Sequence, residues 1–246
     1  MSTVSGLGAA WVDLQTTPLL GLTLTLSAYL IARAIHAAAR FHPLANPVLI
    51  AIVLVVAVLE MTHTPYLTYF QGAQFVHFLL GPATVALALP LYRQWATLRR
   101  TAIPLLGGLI AGSLTAIVSA VGIAALLGAS PQTIASLAPK SVTTPIAMAV
   151  AAQIGGVPSL TAVLVISTGV FGAVFAGSIL NFLRVTEVEV RGFALGIASH
   201  GIGAARAFQI SEEMGAFAGL GMGVNGIFTA FVVPVLMPFL AGWMLH

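Results

Sequence analysis

Apolar residues run along this chain in long blocks, separated by short clusters of glycine, proline and hydrophilic residues. A helix needs about 20 mostly apolar residues to cross the ~30 Å hydrocarbon core of a bilayer. Blocks of that kind predict spans at about Pro18 to Ala39, Asn46 to Met61, Ala102 to Leu127, Leu160 to Phe182 and Ala216 to Met244. Another hydrophobic helix, Val76 to Tyr92, is interrupted at Gly81-Pro82, and the aromatic, polar stretch PYLTYFQGAQF before it suits an interfacial segment. Gly107, Gly108, Gly112 and Gly122 mark Ala102 to Leu127 as a packing helix, since small residues let a neighbouring helix approach closely.

Two stretches break the pattern. They are Leu137 to Gly156, LAPKSVTTPIAMAVAAQIGG, and Ser199 to Arg206, SHGIGAAR. Proline and glycine interrupt the helical hydrogen-bond ladder and free amides and carbonyls, which lipid cannot satisfy. Such backbone is tolerated at membrane depth where it is buried in protein or lines a water-filled cavity. Paired interruptions in two parts of one sequence point to a transporter's substrate site. The interruptions also lie on one another. From Gly81, GPATVALALPLYRQ, and from Lys140, KSVTTPIAMAVAAQ, share threonine at the fourth position, alanine at the eighth and glutamine at the fourteenth. From His200, HGIGAARAF keeps the alanine and has glycine at the fourth. The link 184 to 191 carries two arginines and leans cytoplasmic. That favours a re-entrant hairpin over a full crossing for 130 to 155, and the same question applies to 192 to 209.

Composition agrees with a bilayer as the main solvent. The 246 residues are 59% hydrophobic and 6% charged, against about 45–50% and about 25% in soluble domains. The fold class is therefore all-α, a polytopic membrane protein of about six to eight transmembrane helices, two or three of them broken or re-entrant, in one integral-membrane domain, 1–246. The net charge of +3 comes from basic residues at segment ends, without the runs that bind nucleic acid. Arg33, His36 and Arg40 share a helix face and snorkel at one span end. With Arg93, Arg99 and Arg100 they place two loops in the cytoplasm and the N-terminus outside. The start, MSTVSGLGAAWVDLQTTP, lacks the form of a cleaved signal. There is no cysteine, HExxH, phosphate loop or GxSxG elbow, so neither an enzyme nor a metal or cofactor is expected.

The chemistry sits in the interruptions. An ionised residue at membrane depth costs roughly 2.5–3.5 kcal/mol on insertion scales, so Lys140 calls for a function. With Ser141, Thr143 and Thr144 it offers a cation and hydroxyl donors to a carboxylate, residues 140 and 144 sharing a face if the segment is helical. The alternative is a snorkelling lysine whose neighbouring hydroxyls satisfy freed carbonyls. In the second constellation, Ser199, His200, Gly201, Gly203 and Arg206, the glycines permit close backbone approach and Arg206 can hold a carboxylate bidentately. Gly81, Pro82 and Thr84 form an uncharged third interruption, a site or a simple kink. His200, His77 and Glu60 are candidate proton carriers, and Glu60 neighbours His63 on its helix. Glu212 and Glu213 begin the last helix. Asn225, in an apolar helix, bonds to another helix or touches substrate.

The stretches LLGPATVALALPLYRQ, LAPKSVTTPIAMAVAAQIGG and GIASHGIGAARAF, with the trailing GLGMGVNGIFTAFVVPVL, resemble the LrgB/CidB family of bacterial inner-membrane proteins over nearly the whole chain. The resemblance implies one of two functions. One is a carrier of small monocarboxylates such as glycolate, glycerate or pyruvate, expected here to be proton-coupled; the other is an antiholin-like regulator of murein hydrolase activity. The family is related to the plastidic glycolate/glycerate transporter and akin to elevator-type carriers with broken helices. It also implies a separate holin-like LrgA/CidA membrane protein as partner, in a homodimer or hetero-oligomer.

Overall fold

The computed structural model describes residues 18–40, 45–79, 82, 85, 86 and 88–244. Among them all regular structure is helical, and four helices are long and apolar enough to cross a membrane. The chain divides into two compact units, 1–86 and 87–246. Gly81 and Thr84 lie outside the described residues, while Pro82 is exposed.

In the first unit α1 (Pro18–Ala38) packs on α2 (Pro47–Met61) and α3 (Tyr66–Phe78). Asn46 starts α2: its Oδ1 accepts the N–H groups of Val48 (2.9 Å) and Leu49 (3.2 Å), and Pro47 follows where no intrahelical N–H bond is needed. The aromatic stretch expected at an interface is the helix α3, held to α1 by a bond between the hydroxyls of Thr25 and Tyr69 (2.7 Å). His36 departs from its expected place beside Arg33. It falls four residues after Ala32 and eight after Ala28, and all three are buried along one stripe, so the ring faces protein while Arg33 is exposed. Glu60 is exposed near the end of α2, and its carbonyl accepts the backbone N–H of His63 (3.3 Å).

The second unit holds α4 (Ala88–Arg93), α5 (Trp95–Leu126), α6 (Pro131–Leu137), α7 (Thr144–Gln153), α8 (Pro158–Phe182), α9 (Val188–Phe208) and α10 (Glu212–Met244). Its organising feature is a pair of hairpins that enter from opposite ends. The end of α5 (Ile117, Val121, Ala124) packs with α6 (Ile134, Ala135) and the far part of α7 (Val150). Ser136 Oγ accepts the Val157 N–H (2.8 Å), which pins α6 to the turn after α7. Deeper in, Val142 and Ala147 pack on Val165 of α8. The segment 131–153 thus runs inward, breaks, and returns to the end it left, as the hairpin reading expects.

α9 does the same from the other end. It is interrupted at Ser199 (φ −133°, ψ 15°) and His200 (φ 42°, ψ −135°). Beyond the break the chain doubles back, so that Leu195, Ala204, Ala207, Met214 and Ala218 form one cluster. Gly203 lies against the Leu195 carbonyl, where a Cβ would meet that oxygen at 2.6 Å. On the inward arm Gly192 and Gly196 abut the α10 backbone at Met214 and Ala218. α10 starts at Glu212, with Ser211 Oγ accepting the Met214 N–H (3.0 Å), and then crosses toward the first hairpin, where Val233 and Met237 meet Val150 and Ile134.

The glycines expected to make α5 a packing helix take little part. Gly107, Gly108 and Gly122 have open space around them, because α5 buries its Leu105, Leu109, Ser113 and Ile117 face instead. Among the helix glycines of the second unit, the close approaches fall on α8, α9 and α10.

Candidate functional site

Charge in the second unit, Lys140 apart, gathers at one end. Arg93, Arg99, Arg100, Arg184, Arg191 and Arg206 lie at the end of α4, the start of α5, in or beside the α8–α9 link, or at the returning end of α9, with the four glutamates in or beside that link and at the start of α10. Arg93 and Glu212 pair there at 2.7 Å, and Arg191 closes the link by donating to Asn181 Oδ1 and the Val185 carbonyl, both at 2.8 Å. The turns at the other end, 127–130 and 154–157, carry no charge. Lys140 is the one charged side chain of the described residues from 88 onward that stands away from the arginine end.

Lys140 is at the tip of the first hairpin, half-buried, with Nζ donating to Ser141 Oγ (3.3 Å). No carboxylate comes within ion-pairing distance of it among the described residues. The tip is a turn rather than a helix, so Lys140 and Thr144 do not share a helical face, contrary to the condition set on their pairing; Pro139 and Pro145 account for the interruption. Thr143 is the N-cap of α7 but makes no side-chain cap bond, and both Thr143 and Thr144 are half-buried.

Beside Lys140 opens a cavity of about 300 Å³, lined by Ser141, Thr168, Phe171, Gly172 and Ser199 among others, and extending along α8 and the inward arm of α9 toward the arginine end. Ser199 is 1% exposed, and its Oγ has no hydrogen-bond partner among the described residues. It sits on Gly172, where any larger residue would collide with it. The adjacent Gly169 seats the His200 ring in the same way, and His200 Nε2 donates to the Val165 carbonyl (3.0 Å). A left-handed backbone at a non-glycine residue is strain held by its surroundings, and such strain gathers at functional sites. A second cavity of about 360 Å³, between Pro131, Gln153 and Pro238, has no charged group in its lining.

Asn225 joins the two tips. It is 1% exposed, and its Nδ2 donates to the carbonyls of Ser141 (3.3 Å) and Ile197 (3.0 Å). Its Oδ1 accepts from Ser113 Oγ (2.6 Å) on α5 and Thr229 Oγ1 (3.3 Å). Both carbonyls need such a donor. The helical partner of Ser141 O would be the nitrogen of Pro145, which has no hydrogen. Ile197 O loses its partner to the break at 199–200.

The structure therefore brings together Lys140, Ser141, Ser199 and His200, with Asn225 behind them. Gly201 has room around it, with only Met222 Sδ in reach of an added Cβ, and Gly203 serves the hairpin's closure. Arg206 is not in this group: it stands in the last turn of α9, donating to Gln209 Oε1 (2.9 Å). His77 lies on α3 in the first unit, its side chain outside the described residues. Ser113 and Thr168 do not stand out in the sequence: Ser113 shares the middle of α5 with Thr115 and Ser119, and only its bond to Asn225 sets it apart. Among the described residues no three His, Asp or Glu converge as a metal site.

The chain matches the LrgB-like family over residues 25–239. It is 35% identical over 226 residues to YxaC of Bacillus subtilis (strain 168), covering 92% of this chain and 95% of that one. It is 35% identical over 223 residues to YwbG of the same strain, covering 90% and 98%. With the antiholin-like protein LrgB of Bacillus mycoides (strain KBAB4) it shares 31% identity over 224 residues, covering 91% and 97%. No solved structure matches.

Proposed function

The chain belongs to the LrgB-like family, and from that premise we propose that it carries small monocarboxylates of the glycolate, glycerate or pyruvate type across the bacterial inner membrane. The observation behind this reading is Lys140, a cation with no carboxylate partner among the described residues, at the meeting of two broken helices and beside a cavity lined in part by Ser199, whose hydroxyl has no partner among them either. An ammonium in a low-dielectric setting attracts an anion strongly. Ser141 and Ser199 hydroxyls would complete the carboxylate's hydrogen bonds, as would the uncapped first amides of α7. Arg206 would act at the cavity's outer approach rather than on the bound acid.

The end with six arginines faces the cytoplasm in this reading, so the first hairpin enters from outside, the second from inside, and the N-terminus lies outside. His200, at the second tip, is the group proposed to couple transport to protons. Purified protein in liposomes should accumulate labelled glycolate or pyruvate under an inward proton gradient, and Lys140→Ala should abolish the uptake. Equal uptake by the variant removes Lys140 from the site.

The name antiholin-like, carried by LrgB relatives, favours a second reading over the carrier, an antiholin-like regulator; the small holin-like membrane protein expected from the resemblance would be its partner. The open glycine face of α5 at Gly107, Gly108 and Gly122 would then meet the partner. Gly108→Leu would alter autolysis of the cell while Lys140→Ala would not, the reverse of what the carrier reading expects.

A further inference from the structure

We infer that Asn225 is a clamp rather than a ligand: it holds the tips of the two hairpins as one body and sets the spacing of Lys140 and Ser199 across the cavity. An amide side chain offers two donor hydrogens and two acceptor lone pairs. All four are taken here, by Ser141 O, Ile197 O, Ser113 Oγ and Thr229 Oγ1. Nothing is left for a substrate.

The two acceptors are the carbonyls that each break orphans, one on either hairpin. Unmet, each would stay buried without a donor, and separation of the tips would expose both at once. Ser113 adds α5 to the same node, so both tips are fixed to α5 and α10 through one side chain. Ser141 carries its own hydroxyl and Lys140's bond into the cavity, and Ile197 stands two residues before Ser199. A shift of either carbonyl moves a cavity-lining side chain.

This deepens the carrier reading and rests on it for its consequence, although the clamp itself can be tested apart. The variant to use is Asn225→Asp, which keeps the shape but has one donor hydrogen when protonated and none when ionised, so at least one of the two carbonyls loses its donor. The chain has no cysteine, so nitroxide pairs can be placed by substitution. Ala149→Cys with Ala205→Cys reports between the hairpins, and Val118→Cys with Val163→Cys reports on the α5–α8 scaffold; all four positions are exposed.

In Asn225→Asp the distance distribution between hairpins should broaden while the scaffold pair stays narrow, and KM for the carboxylate should rise about tenfold or more. Broadening in a protein that takes up no carboxylate sustains the clamp and defeats the carrier reading. A narrow hairpin distribution in Asn225→Asp overturns the clamp, whatever happens to KM. If Asn225→Asp does not fold, Ser113→Ala removes only one of the four bonds and is read by the same distributions.

Discussion

Lys140 is half-buried at the tip of the first hairpin and, among the described residues, has no carboxylate partner. Replacing it with methionine keeps the aliphatic length and removes the charge. Carboxylate transport should fall about 10- to 100-fold, the equivalent of the ~1.5–3 kcal/mol of a charged hydrogen bond, measured as kcat/KM in liposomes. Gly172→Ala tests the seat of Ser199: its added Cβ collides with that side chain, and thermal unfolding in detergent should show a loss of about 1–3 kcal/mol from overpacking. Gly108→Ala, with nothing within reach of its Cβ, should leave the unfolding temperature unchanged or higher, since glycine mid-helix is worth roughly 0.5–1 kcal/mol less than alanine. Lys140, Ser199 and His200 were legible in the sequence because charge and polar groups stand out in an apolar chain. Asn225 stood out too, but its partners did not: two of them are backbone carbonyls, orphaned only by breaks whose geometry comes from folding. Arg206 was misjudged in reach, since six residues along the returning arm carry it away from the His200 tip.

At the scale of elements the two hairpins are the result. Prolines around Lys140 and glycines around His200 mark both breaks in the sequence, and the alignment of the stretches from Lys140 and from His200 puts the same position at both tips. What the sequence could only lean toward is the direction of return, because that rests on contacts between residues far apart, such as Ser136 with Val157 and Leu195 with Gly203. Gln132→Cys and Ala152→Cys, exposed on the two arms of the first hairpin, should both react with a membrane-impermeant maleimide from one side of the membrane. Labelling from opposite sides would mean that the segment crosses. The α5 glycines were read for packing on composition alone, and which face a helix buries depends on neighbours that composition does not name.

For the whole molecule, the segregation of charge joins topology to function. Six arginines mark one end of the second unit, the uncharged turns mark the other, and a single lysine lies between them at the hairpin tips. Thr186→Cys, in the exposed α8–α9 link, should be labelled only from the cytoplasmic face, opposite to Gln132→Cys. The all-helical, multi-span character and the family were readable from hydropathy and motifs; the division into two compact units was not. On the carrier reading, the meeting of the hairpins is a carboxylate site built on Lys140. Calorimetric titration of the purified protein with glycolate tests it most directly. Binding should be saturable, weakened at least about tenfold in Lys140→Met and absent for the neutral amide of the same acid; equal binding by Lys140→Met, or by the amide, would rule out a carboxylate site built on Lys140.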